Sequence, residues 1–267
     1  MTSVSEQAQD EEYIKIVIDP ISACKNYIPK FGGSAGLTLS EFQSLYQADP
    51  FYSWLGLDSP LMFTAHKAAG GMTSVYRQVG IGCQRLIQRI IMDSLNLTAE
   101  QSIWSYEIKK IEGKTQTLSL DCCIPIAETK LDRRPIVTNW VQNACRAVNI
   151  SEDMIPVFKG AVFEIRQGYK SKDSKRQNAD IANAAAAYSE GYLPVILLFS
   201  NQIDSSVADR YIKSRWLILR GTTNGSTTSS TYEFCRQVLG YDLANFFQRH
   251  SARLKQEVES VLTALLQ

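Results

Sequence analysis

The run YLPVILLFS, residues 192–200, is apolar at nearly every position. A strand with one face in water alternates apolar and polar residues, so an unbroken apolar strand is covered on both faces. Such a strand needs helical layers on either side of its sheet, and the neighbouring sequence offers one. DIANAAAAYSEG, residues 180–191, favours helix through its alanines and has Gly191 placed to end it. Pro194 has no N–H to give to a ladder, which puts it near the start of its strand or at an edge.

Upstream, Val75, Val79, Cys83, Leu86 and Ile90 recur at helical spacing and predict a helix over 73–95, with Thr73 or Ser74 as its cap. Gly80 and Gly82 each weaken that helix by about 1 kcal/mol relative to Ala, so another segment is expected to pass close by. SIWSYEIKKIE (102–112) and TQTLSLDCCIPI (115–126) read as strands joined through Gly113 and Lys114 into a hairpin. PIVTNWVQNACRAVN (135–149) aligns Val137, Val141, Ala144 and Val148 on one face of an inserted helix, and VFKGAVFEIRQ (157–167) returns to strand composition. Ser174 and Gln177 have the spacing of a capping box. WLILRG (216–221) is a further strand, and Leu254, Val258, Val261 and Leu265 make an apolar stripe on a C-terminal helix. This order predicts an α/β fold with a central mixed sheet flanked by helices. The chain is read as one domain, 1–267: a loose tail at 1–13, an irregular or helical elaboration at 14–72, a core at 73–220 and C-terminal helices at 221–267.

At 267 residues the chain can bury a substantial core. No apolar run approaches the roughly 18 residues of a membrane span, and the polar start MTSVSEQAQDEEY lacks the regions of a secretory signal, so a cytoplasmic protein without membrane contact is expected. Six cysteines without a CxxC pair read as reduced, buried thiols, and Cys122 and Cys123 point to opposite faces of their strand. Neither GxxxxGKS nor GxGxxG occurs, and His66 and His250 alone give little material for a catalytic triad. The formal net charge is only +1, yet between 159 and 176 six cations (Lys159, Arg166, Lys170, Lys172, Lys175, Arg176) face two acids, Glu164 and Asp173. Cations are unfavourable at the N-terminal end of a helix, so this cluster ahead of residue 180 points to an anionic partner.

Two acids sit where apolar residues are expected. In LSLDCCIPI, Leu118, Leu120, Cys122 and Ile124 share one face and Ser119, Asp121 and Cys123 the other. In GAVFEIRQ, Phe163 and Ile165 share one face and Val162, Glu164 and Arg166 the other. A carboxylate on a buried strand needs a partner or a metal to offset its lost hydration. If these strands are neighbours, Asp121 and Glu164 repel one another unless a divalent cation lies between them, and Mg²⁺ suits one or two carboxylates with water and a phosphate oxygen. The plainer readings are a surface ion pair between Glu164 and Arg166 and a buried pair of Asp121 with Arg85 or Arg89.

The arrangement resembles the PD-(D/E)xK nuclease superfamily, especially its type II restriction endonucleases. The resemblance implies a restriction-endonuclease-like core over roughly 73–220, with Asp121 and Glu164 as Mg²⁺ ligands and Arg166 in the position of the usual Lys. Arg166 keeps its charge and orients a phosphate but cannot act as a base, so Lys170 or Lys172 is a candidate for the ammonium group. Asp153 is the alternative first acid. The resemblance further implies a magnesium-dependent, sequence-specific endodeoxyribonuclease acting on duplex DNA as a homodimer. Lys170, Lys172, Lys175, Arg176, Gln177 and Asn178, with Lys67 and Arg77, are then candidate DNA contacts, and His66 and Gln78 stand near the last two. The alternatives are a non-catalytic nucleic-acid-binding protein and a repair or recombination nuclease that reads DNA structure.

Overall fold

The computed structural model describes residues 4–109, 115–168 and 174–267. Where the sequence reads as one domain, the chain divides into two compact units, Met1–Gly82 with Arg249–Gln267, and Cys83–Gln248.

The first unit is helical: α1 (Val4–Ser22), α2 (Leu39–Gln47), α3 (Pro50–Trp54) and the first part of α4 (Pro60–Leu95), with the end of α9 (Leu243–Leu266). Residues 4–13, expected to be a loose tail, belong to α1, because Tyr13, Ile14 and Val17 fill the core and Asp10 binds Arg249 at 2.5 Å. The long helix begins at Pro60 rather than at 73, extending into the region read as an elaboration. Thr38 and Glu41 form a full capping box at the start of α2, and Asp49 caps α3. At Gly82 the expected close approach is present: a Cβ there would lie 3.2 Å from Val17 Cα, whereas Gly80 faces open space.

The second unit is α/β. A two-stranded antiparallel sheet joins β1 (Trp104–Lys109) to β2 (Thr115–Leu120); the turn read at Gly113 and Lys114 lies outside the described residues. A separate four-stranded sheet has the order β3 (Cys122–Pro125), β4 (Gly160–Arg166), β5 (Tyr192–Leu198) and β6 (Leu217–Leu219). Strand β4 runs antiparallel to β3 and parallel to β5, and β5 runs parallel to β6, which makes the sheet mixed. Pro194 pairs with Val162 on one side, and the ladder to β6 begins only at Val195, so its missing N–H interrupts nothing there.

Helices cover both faces. On one face α5 (Arg134–Ala147) sets Trp140 against Phe163 and Phe234, and on the other α6 (Ser174–Ser189) and α7 (Ser205–Lys213) pack Ala184, Ala187, Val207 and Tyr211 over Val162, Ile196 and Leu198. Helix α7 is absent from the sequence reading, which passed directly from one strand to the next. Two parallel strands cannot be joined by a tight turn, and α7 is the crossover. The short α8 (Thr231–Phe234) and a π-turn at Cys235–Leu239 lead into α9. All six cysteines are free and buried, and among the described residues no helix is long and apolar enough to cross a membrane.

Gly160 pairs with Pro125 at the start of the β3–β4 ladder, and a Cβ there would overlap the Ile124 carbonyl. Gly160→Ala is expected to lower unfolding stability by about 1–3 kcal/mol, read from urea melts, by forcing the two strands apart.

Candidate active site

The β3–β4 ladder ends at the pair Cys122–Phe163, and Asp121 and Glu164 are the next residues beyond that pair on the two segments. They are near enough for the charge of Asp121 to act on Glu164. Asp121 is not within a continuous strand as the alternation suggests, but in the bend between β2 and β3. The bend turns its carboxylate onto the ladder end, where Oδ2 accepts the Ile165 N–H at 2.7 Å. Its own carbonyl accepts from Gln88 Nε2 on α4. This ties the bend to the helix as well as to β4.

Glu164 and Arg166 lie on the α6 side of the sheet, as the alternation predicts. Glu164 is 8% exposed, and its Oε1 is held by Arg166 Nη2 at 2.5 Å. The same nitrogen lies 3.7 Å from Asp180 Oδ2 on α6. Asp180 is 3% exposed and accepts the Tyr211 O–H at 2.5 Å. The pair of Glu164 and Arg166 is therefore a buried one at the centre of a network, not the surface contact of the plainer reading. The other plain reading also gives way: Arg89 binds Asp93 at 2.8 Å and Arg85 is exposed.

Burial pushes Glu164 well above the usual carboxylate range, to about 8; the charge of Asp121 adds to the rise, Arg166 opposes it and Asp180 adds a smaller increment. Burial likewise raises Asp121, against the Ile165 hydrogen bond and Arg166, while Asp180 adds to the rise. Both acids are thus in a place where negative charge is costly and a further cation would be welcome. Among the described residues no group of three His, Cys, Asp or Glu side chains is arranged to hold a metal ion. Mg²⁺ needs only one or two carboxylates and keeps several waters, so Asp121 and Glu164 fit that ion and not a fully protein-built cage.

The other candidates are dispersed. Lys170 and Lys172 lie outside the described residues; Lys175 and Arg176 are in the first turn of α6, and their side chains are not described. Gln177, read as the end of a capping box and as a base contact, is buried, and its Oε1 accepts from Arg210 Nη1 at 2.9 Å. Asn178 is exposed and its Oδ1 accepts from Arg210 Nη2. Their carbonyl oxygens dock α7 onto α6. Lys67, which donates to the Ala264 carbonyl at 3.0 Å, Arg77 and His66, packed edge-on to Phe31, belong to the other unit. Asp153 sits exposed in a turn, as its sequence suggests.

Asp180 and Tyr211 went unnoticed in the sequence, although a signal was there. Gln177, Asp180 and Asn183 recur at intervals of three along α6, and all three are buried beside Ala184 and Ala187. Polar residues on the covered face of a helix must find partners, and these find Arg210, Tyr211 and Tyr106, whose O–H reaches Asn183 Oδ1 at 2.8 Å.

Comparison with protein-family models, curated proteins and solved structures found no match for this chain.

A carboxyl with a raised folded-state pKa holds its proton more tightly folded than unfolded. Its stabilising contribution is complete below the unfolded value, 4.5 for Glu164, and is lost as pH rises through about 8. Urea melts in the presence of a chelator are expected to show stability falling across that window, and Glu164→Gln is expected to flatten the fall.

Proposed function

We propose that this chain is a magnesium-dependent endodeoxyribonuclease that hydrolyses phosphodiester bonds in duplex DNA, as a type II restriction enzyme does. One observation carries the reading: Asp121 and Glu164 come together just beyond the end of the β3–β4 ladder, with Arg166 two residues further along the same strand and bound to Glu164. Asp121 and Glu164 would hold the metal, which when bound polarises a phosphoryl group and makes water a stronger nucleophile. Arg166, permanently charged and nearly buried, is suited to steady the charge that grows on a phosphate in the transition state. Burial keeps bulk water from screening these charges. The order of a long helix, an antiparallel strand pair, β3, the inserted α5, the acid-bearing β4, a helix and an apolar parallel strand supports a restriction-endonuclease-like core, with α5 as its departure from that pattern. The basic run that follows β4 in the sequence offers cations for a DNA backbone, with Lys170 or Lys172 as the ammonium group. A cytoplasmic homodimer that meets a palindromic site through twofold symmetry completes the proposal.

The buried contact between Glu164 and Arg166 favours one competing reading, in which the network only stabilises an α/β protein that holds nucleic acid without cutting it. Incubation of the pure protein with plasmid and Mg²⁺ separates the readings. Discrete fragments are expected; shifted but intact DNA would favour the binder, and cutting without a fixed pattern a structure-reading nuclease. Glu164→Ala is expected to reduce cleavage at least a hundredfold while DNA affinity in Ca²⁺ changes less than threefold, and a variant that still cuts would remove Glu164 from the site.

A further inference from the structure

Resting on that reading, one obstacle stands in the way of metal binding. Glu164 Oε1 already holds the Arg166 guanidinium at 2.5 Å, and a divalent cation on the same carboxylate would compete with that guanidinium for its charge and repel it. Arg166 cannot lose its charge to make way, and its side chain is only 11% exposed, so it cannot move into water without carrying its neighbours along. Moving a buried cation off one anion is costly, and the cost falls when another anion stands nearby to take it.

Asp180 is placed to be that anion. The nitrogen bound to Glu164 is 3.7 Å from Asp180 Oδ2, and a charge-assisted bond measures about 2.8 Å, so a shift of about 1 Å converts one ion pair into the other. Asp180 comes from α6 and not from the acid-bearing strands, so it stays in place while the ladder end takes up a cation. The Tyr211 O–H, donated at 2.5 Å from α7, fixes the oxygen that faces Arg166. Arg210, the residue before Tyr211, fastens the same two helices through Gln177 and Asn178. The receiving carboxylate is therefore held from two sides by a packed helix pair.

We propose that Asp180, oriented by Tyr211, is a positioning residue that receives Arg166 when a divalent cation binds Glu164, so that the same guanidinium closes the site without metal and stands beside it with metal. Asp180 acts through Arg166 and not as a ligand.

The test is a double-mutant cycle on Mn²⁺ affinity, measured by calorimetry on the intact chain without DNA and hence without turnover. Asp180→Asn is expected to weaken Mn²⁺ binding about tenfold in the wild-type background and less than twofold in an Arg166→Met background, where there is no guanidinium to receive. An equal loss in both backgrounds would mean that Asp180 serves as a ligand or as simple negative charge, and no loss in either would mean that it plays no part; both overturn the proposal. Tyr211→Phe keeps the buried ring and is expected to give a smaller loss, about threefold, that also vanishes with Arg166→Met; it carries the comparison if Asp180→Asn melts too low to measure. Failure of the wild-type chain to bind Mn²⁺ at all would instead overturn the nuclease reading, and this inference with it.

Discussion

The pairing of β3 with β4 is the constraint on which the rest of the site depends. Antiparallel register has a period of two, so a slip of one residue would carry every side chain to the opposite face and separate the two acids. The ladder brings Asp121 and Glu164 to its end, one residue beyond the last pair on each side, and the Ile165 N–H fastens Asp121 there. Gly160 keeps the other end of the same ladder close, because only a residue without a side chain fits against the Ile124 carbonyl. Everything chemical in the second unit follows from this: two acids raised by burial and by one another, and a guanidinium drawn in to offset them.

The network resolves one conflict between folding and chemistry. Acids in an apolar layer oppose folding, and proteins keep such acids either neutral or paired. Here the raised pKa of Glu164 and the contact with Arg166 both reduce the cost. The helix pair α6 and α7 matters to the site because it brings Asp180, held by the Tyr211 O–H, toward the same guanidinium from beyond the sheet.

Much of this was legible in the sequence, and the remainder was hidden for identifiable reasons. The apolar run at 192–200 and the alternation in GAVFEIRQ reported the sheet and its faces, because the burial of whole strands leaves a composition signature. The bend at Asp121 was missed because LSLDCCIPI alternates without interruption, and nothing in the residue types shows that the ladder changes partner there. Helix α1 was misread as a tail because its first residues are polar; its burial comes from tertiary packing of Tyr13, Ile14 and Val17, which propensity does not report. Asp180 was passed over because its alanine-rich surroundings read as a plain helix, although its spacing from Gln177 and Asn183 placed it on the covered face. The basic run at 170–176 was legible as charge, but its side chains are outside the described residues, so it supports the proposed DNA contact only by its place in the chain.

The central claim is that two opposed carboxylates and one guanidinium make a place for a hard cation. Anomalous diffraction from crystals soaked in Mn²⁺ tests it most directly. The account predicts one strong peak in contact with both Asp121 and Glu164, with the Arg166 guanidinium no longer on Glu164. Crystals that take up Mn²⁺ elsewhere, or not at all, while Arg166 remains on Glu164 would contradict it.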